Sequence, residues 1–124
     1  AAILDAPPGT SCPVIAAIRD SDMVLLVTEP TPFGLHDLTL AVDMVKALQL
    51  PFGVIINRVG SGDDRVHNFC RKIDIPILLE IPDDRLIAEN YSRGILMVDA
   101  LPQYRKLFEN LMENITEFEK KGRI

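Results

Sequence analysis

Asp5 closes a short apolar run and is followed by Ala6-Pro7-Pro8-Gly9-Thr10, so a carboxylate stands beside a proline-glycine turn. An Asp placed there offers a hard oxygen to Mg²⁺ or to its waters, and the glycine lets a backbone approach a phosphate closely. The same Asp can cap the next helix or brace the turn, and spacing alone leaves both uses open. Asn57 ends the run Gly53 to Val59. Its amide donates and accepts together, which suits a nucleobase edge, although Asn is also a common turn residue. Glu29 and Asp84 follow two other apolar runs, and Arg58 is the only cation among these run ends. Cys12 precedes Pro13, near a helix start where a thiolate is favoured, but a lone Cys more often serves as a small buried residue. Cys70 lies on an apolar stripe with Phe69 and Ile73 and reads as core. The two cysteines are far apart in different contexts, so neither a disulfide framework nor a metal knuckle is indicated. His36 and His67 sit at helix beginnings, in solvated or capping positions, and belong to no ligand spacing.

The elements that must position these groups follow from hydrophobic pattern. Ala2 to Ala6, Met23 to Thr28, Gly53 to Val59 and Pro76 to Ile81 are continuous apolar runs, as parallel strands covered on both faces require. Between them lie helical patterns. Leu38, Ala41, Val42, Val45 and Leu48 form one stripe within Leu35 to Leu50, with Asp37, Asp43, Lys46 and Gln49 facing away. Pro13 fits the first turn of a helix carrying Val14, Ala17 and Ile18, and Asp63 or Asp64 can cap one carrying Val66, Phe69, Cys70 and Ile73. Asp83 or Asp84 can cap a short helix through Leu86, Ile87 and Tyr91 that stops at Gly94. A last long helix carries Tyr104, Leu107, Phe108, Leu111, Ile115 and Phe118, with Asp99 near its start and Pro102 in its opening turn. The expected fold is α/β, a single domain over 1–124 with a mainly parallel sheet covered by helices. Such sheets bind ligands at the strand carboxyl ends, which gathers Asp5, Glu29, Asn57 and Asp84 on one rim.

The chain has 124 residues, 13 basic and 18 acidic, for a formal charge of -5. That argues against nucleic acid as the main partner, because the only dense basic cluster is Lys120, Lys121 and Arg123, in a stretch read as a fraying tail. A hydrophobic share of 48% is ordinary for a globular domain that buries a core. No apolar run is long enough to span a bilayer, and the opening residues lack the features of a signal peptide, so the expected location is cytoplasmic.

Taken in order, DAPPG followed by TSCPV, then VLLVTEPTPFGLHDLTLAVDMV, VIINRV, IPILLEIPDD and YSRGI resemble the carboxyl-terminal half of the deviant P-loop ATPases of the MinD, ParA and Mrp superfamily. The branch with an inserted ferredoxin domain is the most similar. The resemblance implies a partial P-loop NTPase fold of the SIMIBI type and a parent that couples Mg-ATP binding and hydrolysis to an iron-sulfur or redox partner. It implies that Asp5 holds the Mg²⁺ shell through water and that Gly9 is a switch glycine facing the terminal phosphate. It further implies that Asn57 recognises adenine, with Pro82 and Asp84 in the loop that lines the base. No GxxxxGK[ST] or KGG stretch occurs in the sequence, nor do the clustered cysteines of the ferredoxin insert. Without the phosphate cradle and its lysine, this chain alone is expected to be inactive, and the cluster would belong to the missing part of the parent. The partners implied are ATP and either a second copy or the missing amino-terminal half. Two alternatives are a non-catalytic interaction module and a receiver-like signalling domain. Asp5 stands too early in the chain for a receiver's phosphorylated Asp, which ends a middle strand.

Overall fold

The computed structural model describes residues 2–122; Ala1, Arg123 and Ile124 lie outside the described residues, and with Arg123 goes one member of the basic cluster. The elements run α1 (Cys12–Ile18), β1 (Val24–Thr28), α2 (Pro32–Ala47), β2 (Phe52–Val59), α3 (Arg65–Lys72), β3 (Ile77–Pro82), α4 (Arg85–Ser92), α5 (Met97–Ala100) and α6 (Pro102–Gly122). The strands form one parallel sheet in the order β1-β2-β3. Strand and helix alternate as the apolar runs require, and three of the four expected strands are present.

The fourth is not. Ala2 to Ala6 is irregular, with Ile3 89% and Leu4 69% exposed. A strand exists only where a neighbour completes its ladder, and no described residue pairs with this segment. Apolar content supplied a reason to be buried but no partner.

Each face of the sheet carries its own packed layer. Leu38 and Val42 of α2 and Val66 and Cys70 of α3 close over Val54 and Ile56 on one face. On the other, Leu111 of α6, flanked by Leu107, Phe108, Ile115 and Phe118, covers Ile55, Leu78 and Leu79. The predicted stripes of α2 and α6 thus face the sheet, and Asp37, Asp43, Lys46 and Gln49 are exposed. Burial pushes the Cys70 thiol above its ordinary pKa, in keeping with a core role. At α1, Val14 and Ile18 are buried but Ala17 is exposed.

One helix start is corrected. Helix α2 begins at Pro32 rather than Leu35, because Thr31 caps it with Oγ1 accepting from the Gly34 amide at 3.0 Å. Helix α4 forms where the sequence places it, with no residue buried and Tyr91 84% exposed. Gly94 does end α4 in the left-handed conformation, with φ 73°, one residue past the cap Arg93. Lys120 and Lys121 lie in the last turn of α6 rather than in a frayed tail, where cations complement the helix carboxyl end.

Candidate functional site

A cleft of about 360 Å³ opens at the carboxyl ends of β1 and β2, lined by Thr28, Glu29, Thr31, Phe33, Asp37 and Asn57 among others. Its construction starts with a tight strand-to-helix turn. Thr28 is buried, and its hydroxyl donates to the Gly34 carbonyl at 3.0 Å. Gly34 is required there, since a Cβ would lie 2.1 Å from the Glu29 carbonyl oxygen, far inside contact distance. The turn folds back on itself, so Glu29 and Phe33 border the same space.

Asn57 is half-buried at the end of the central strand. Its Oδ1 accepts from the Arg58 amide at 3.0 Å, and its Nδ2 has no hydrogen-bond partner among the described residues. Arg58 follows with φ 55°, the left-handed region, which costs a side-chain-bearing residue about 1–2 kcal/mol. Several contacts hold it. Its Nε donates to Asp83 Oδ1 at 3.2 Å, a terminal nitrogen lies 3.8 Å from Glu29 Oε2, and the Ser61 hydroxyl donates to its carbonyl at 2.7 Å. The guanidinium therefore joins the residue that follows β1 to the residue that follows β3, across the end of β2.

Asp84 is the residue of the expected pair that caps the next helix, and it holds a second bond as well. Its Oδ1 accepts from the Leu86 amide at 2.9 Å, capping α4, and its Oδ2 accepts the Tyr104 hydroxyl at 2.5 Å. The Tyr104 bond first, and the Leu86 amide second, hold the Asp84 carboxyl below the ordinary carboxylate range. Tyr104 is pushed up to about 12 by burial and by the adjoining Asp84. The loop after β3 is thus pinned at Asp83 by Arg58 and at Asp84 by α6. Pro82, last residue of β3, is exposed and pairs in register with Val59.

Glu29 and Asn57 meet in the cleft, and Pro82 to Asp84 stand one strand away along the same rim. Asp5 and Gly9 do not join them. Asp5 is exposed in the irregular opening segment, and its neighbour Ala6 packs against Ile18, Val24 and Val45, at the first residue of β1 and the last turn of α2. Gly9 has φ 99° with open space where a side chain would be, so its conformation needs glycine while nothing crowds it. No group of three or more His, Cys, Asp or Glu residues among the described residues is placed to hold a metal ion. Cys12 is exposed, His36 is exposed, and His67 pairs through Nε2 with Glu80 of β3. Sequence reasoning placed Arg58 on the rim without its bridging role and read Tyr104 only as part of the last helix's stripe. The NR pair at a strand end carried a signal for the first; the second had none, because Tyr104 is distant in sequence from the loop it fixes.

No protein-family model matches the chain. An uncharacterized protein of Methanocaldococcus jannaschii is 38% identical over 93 residues, covering 74% of this chain and 31% of that protein. An iron-sulfur cluster carrier protein of Pyrococcus horikoshii is 24% identical, covering 97% of this chain and 48% of that protein. Among solved structures, the cell division ATPase MinD of Pyrococcus furiosus superposes with a TM-score of 0.74 at 29% identity, over 91% of this chain and 50% of that one. The chain belongs to the MinD superfamily. A second MinD-superfamily structure, the septum site-determining protein MinD of Pyrococcus horikoshii complexed with Mg-ADP, has a TM-score of 0.70 at 28% identity, over 90% of this chain and 48% of that one. The chain spans half or less of the length of each of these proteins. The parallel sheet flanked by helices is the MinD-type P-loop NTPase fold in part, which sets aside the receiver-like alternative. Among the described residues no helix is long and apolar enough to cross a membrane.

Proposed function

We propose that this chain supplies the base-binding side of the Mg-ATP site of a MinD-like ATPase whose phosphate-binding side lies outside these residues. The observation that carries the reading is Asn57, half-buried at the end of the central strand, lining the cleft with an Nδ2 that has no hydrogen-bond partner among the described residues. An unsatisfied donor beside an aromatic ring, Phe33, suits a planar base with ring acceptors. The cleft's charge points the same way. Among the described residues that line it are Glu29 and Asp37 but no Lys or Arg, and the neighbouring cation, Arg58, is paired with Glu29, so the cleft suits an uncharged base better than phosphates. Pro82 and Asp84 belong to the reading as the neighbouring wall, held in place rather than reactive.

The phosphate side needs an amide cradle and a lysine, which this sequence does not contain. Asp5 and Gly9 would serve it, one toward the waters of Mg²⁺ and the other toward the terminal phosphate. By themselves they do not fit a metal: Asp5 is exposed and belongs to no group of three or more His, Cys, Asp or Glu among the described residues. The missing groups come from the rest of a longer chain or from a partner, which also completes the free edge of β1. The likeness to an iron-sulfur cluster carrier protein supports a role for the ATP site in handling an iron-sulfur or redox partner. With Cys12 exposed and Cys70 buried, this chain's own residues do not fit a cluster.

Adenosine, which tests the base site without the phosphates, should shift the Asn57 side-chain amide resonances of the labelled chain, and Asn57→Ala should weaken that binding by about 1–3 kcal/mol. ATP should bind no more tightly than adenosine, and phosphate release should stay at the level of an Asp5→Ala control. No response of Asn57 to adenosine, or phosphate release above that control, overturns the reading.

A further inference from the structure

The backbone of Arg58 deserves an explanation that the base site alone does not give. Gln49 and Asp74 share its left-handed φ, but each stands one residue beyond a helix cap, where that conformation is usual. Arg58 instead lies inside β2, at a break in the ladder. From Ile56 to Val59 β2 advances three residues while β3, from Glu80 to Pro82, advances two, so one extra residue bulges out of the pairing at Asn57 and Arg58. Bulges of this kind turn a strand and redirect its side chains. A strained residue at a bulge persists only when its surroundings over-determine it. Here the Ser61 amide and hydroxyl both donate to the Arg58 carbonyl, at 3.1 and 2.7 Å, while Asp83 and Glu29 hold the guanidinium.

What the conformation accomplishes is visible at Asn57. The Arg58 N–H points back to the Asn57 side chain at 3.0 Å. Only the oxygen of a carboxamide can accept from an N–H, so this contact selects one of the two flips of the amide. The NH₂ is left for the cleft, with the second lone pair of Oδ1 beside it. On its Watson–Crick edge adenine presents a ring acceptor, N1, next to an amino donor, whereas guanine presents a ring donor, N1–H, next to the O6 acceptor, the reverse pattern. A carboxamide free to flip satisfies either base equally well, and one locked by its neighbour does not.

We propose that Arg58 is a positioning residue for base selectivity: its left-handed backbone at the β2 bulge locks the Asn57 carboxamide in the flip that reads adenine. The inference rests on the base-binding reading of the cleft. The main chain is the active part, and the guanidinium serves to hold the two flanking loops.

The two parts separate by substitution. Arg58→Gly keeps easy access to the left-handed region and removes the guanidinium, while Arg58→Val opposes that region through its branched Cβ. Adenosine and guanosine are titrated into the labelled full chain of the parent and of each variant, following the Asn57 side-chain amide pair, with thermal unfolding as a check that each variant is folded. The Gly variant should keep the parental adenosine-to-guanosine ratio within about twofold, and the Val variant should bring the ratio close to one, since the residual preference then has no locked donor behind it. Should Arg58→Val prove unfolded, Arg58→Ala, which disfavours the same region more mildly, should lower the ratio part-way. A Val or Ala variant with the parental ratio, or a Gly variant that loses it, overturns the proposal. Should the parent fail to bind adenosine at all, the base-binding reading itself fails; adenosine binding that depends on Asn57 but ignores Arg58 defeats this inference alone.

Discussion

Asp84 and Tyr104 show how a single pair can set a pH limit. The carboxyl is held below its ordinary range chiefly by the tyrosine hydroxyl. A lowered carboxylate pKa contributes stability above the unfolded value and loses it as pH falls through the folded one. Tyr104→Phe should therefore move the acid unfolding midpoint to higher pH, followed by circular dichroism. On the alkaline side the sign reverses. Tyr104, at about 12, gives its full contribution below about pH 10, the ordinary tyrosine value, and loses it as pH climbs toward 12, a loss that the Phe variant should lack. Superimposable acid limbs for parent and variant would show that the 2.5 Å contact carries no weight. At the same scale, Ile56 is fully buried between α2, α3 and the sheet, and Ile56→Ala should cost about 2–5 kcal/mol in denaturant unfolding.

Among elements, α2 controls the cleft because its first turn is also the cleft wall. Thr31 caps it, Pro32 occupies the first turn, and Gly34 allows the turn to touch the Glu29 carbonyl. Replacing a helical glycine by alanine ordinarily gains about 1 kcal/mol of helix propensity. Here the added methyl meets backbone rather than a movable side chain, so Gly34→Ala should destabilise by about 1–3 kcal/mol and displace Glu29 from the cleft. A variant with a raised melting temperature would show that the turn can relax. Thr31→Ala removes only the cap and should cost about 1 kcal/mol while leaving the cleft in place.

For the molecule as a whole, the edge of β1 decides behaviour in solution. β1 pairs only with β2 among the described residues, and Val27 near its end is 66% exposed. Ile3 and Leu4 add apolar surface with no ladder of their own. A free edge with exposed apolar side chains is a template for pairing with another strand. Light scattering on size-separated chain should accordingly show self-association that deepens with concentration. A monodisperse monomer at all concentrations would mean that this edge is protected by its own side chains.

Much of this architecture could be read from residue types. Continuous apolar runs placed three strands within a residue or two, because strands covered on both faces have no room for polar positions. The stripes of α2 and α6 were legible because the apolar spacing matches the helical repeat. Asn57 was legible as a strand-end amide. Helix α4 was placed by its acidic cap and its closing Gly94, signals that say nothing of whether Leu86, Ile87 and Tyr91 are covered. Tertiary structure alone decided the rest. Ala2 to Ala6 has the composition of a strand and no partner, so its fate depends on pairing that local sequence cannot encode. Asp84 reads as a rim acid or a helix cap, and only the tertiary structure brings Tyr104 of α6 to it from 20 residues away. The bulge at Arg58, which sets the flip of Asn57, comes from the register between β2 and β3, a relation between two segments that neither segment carries by itself.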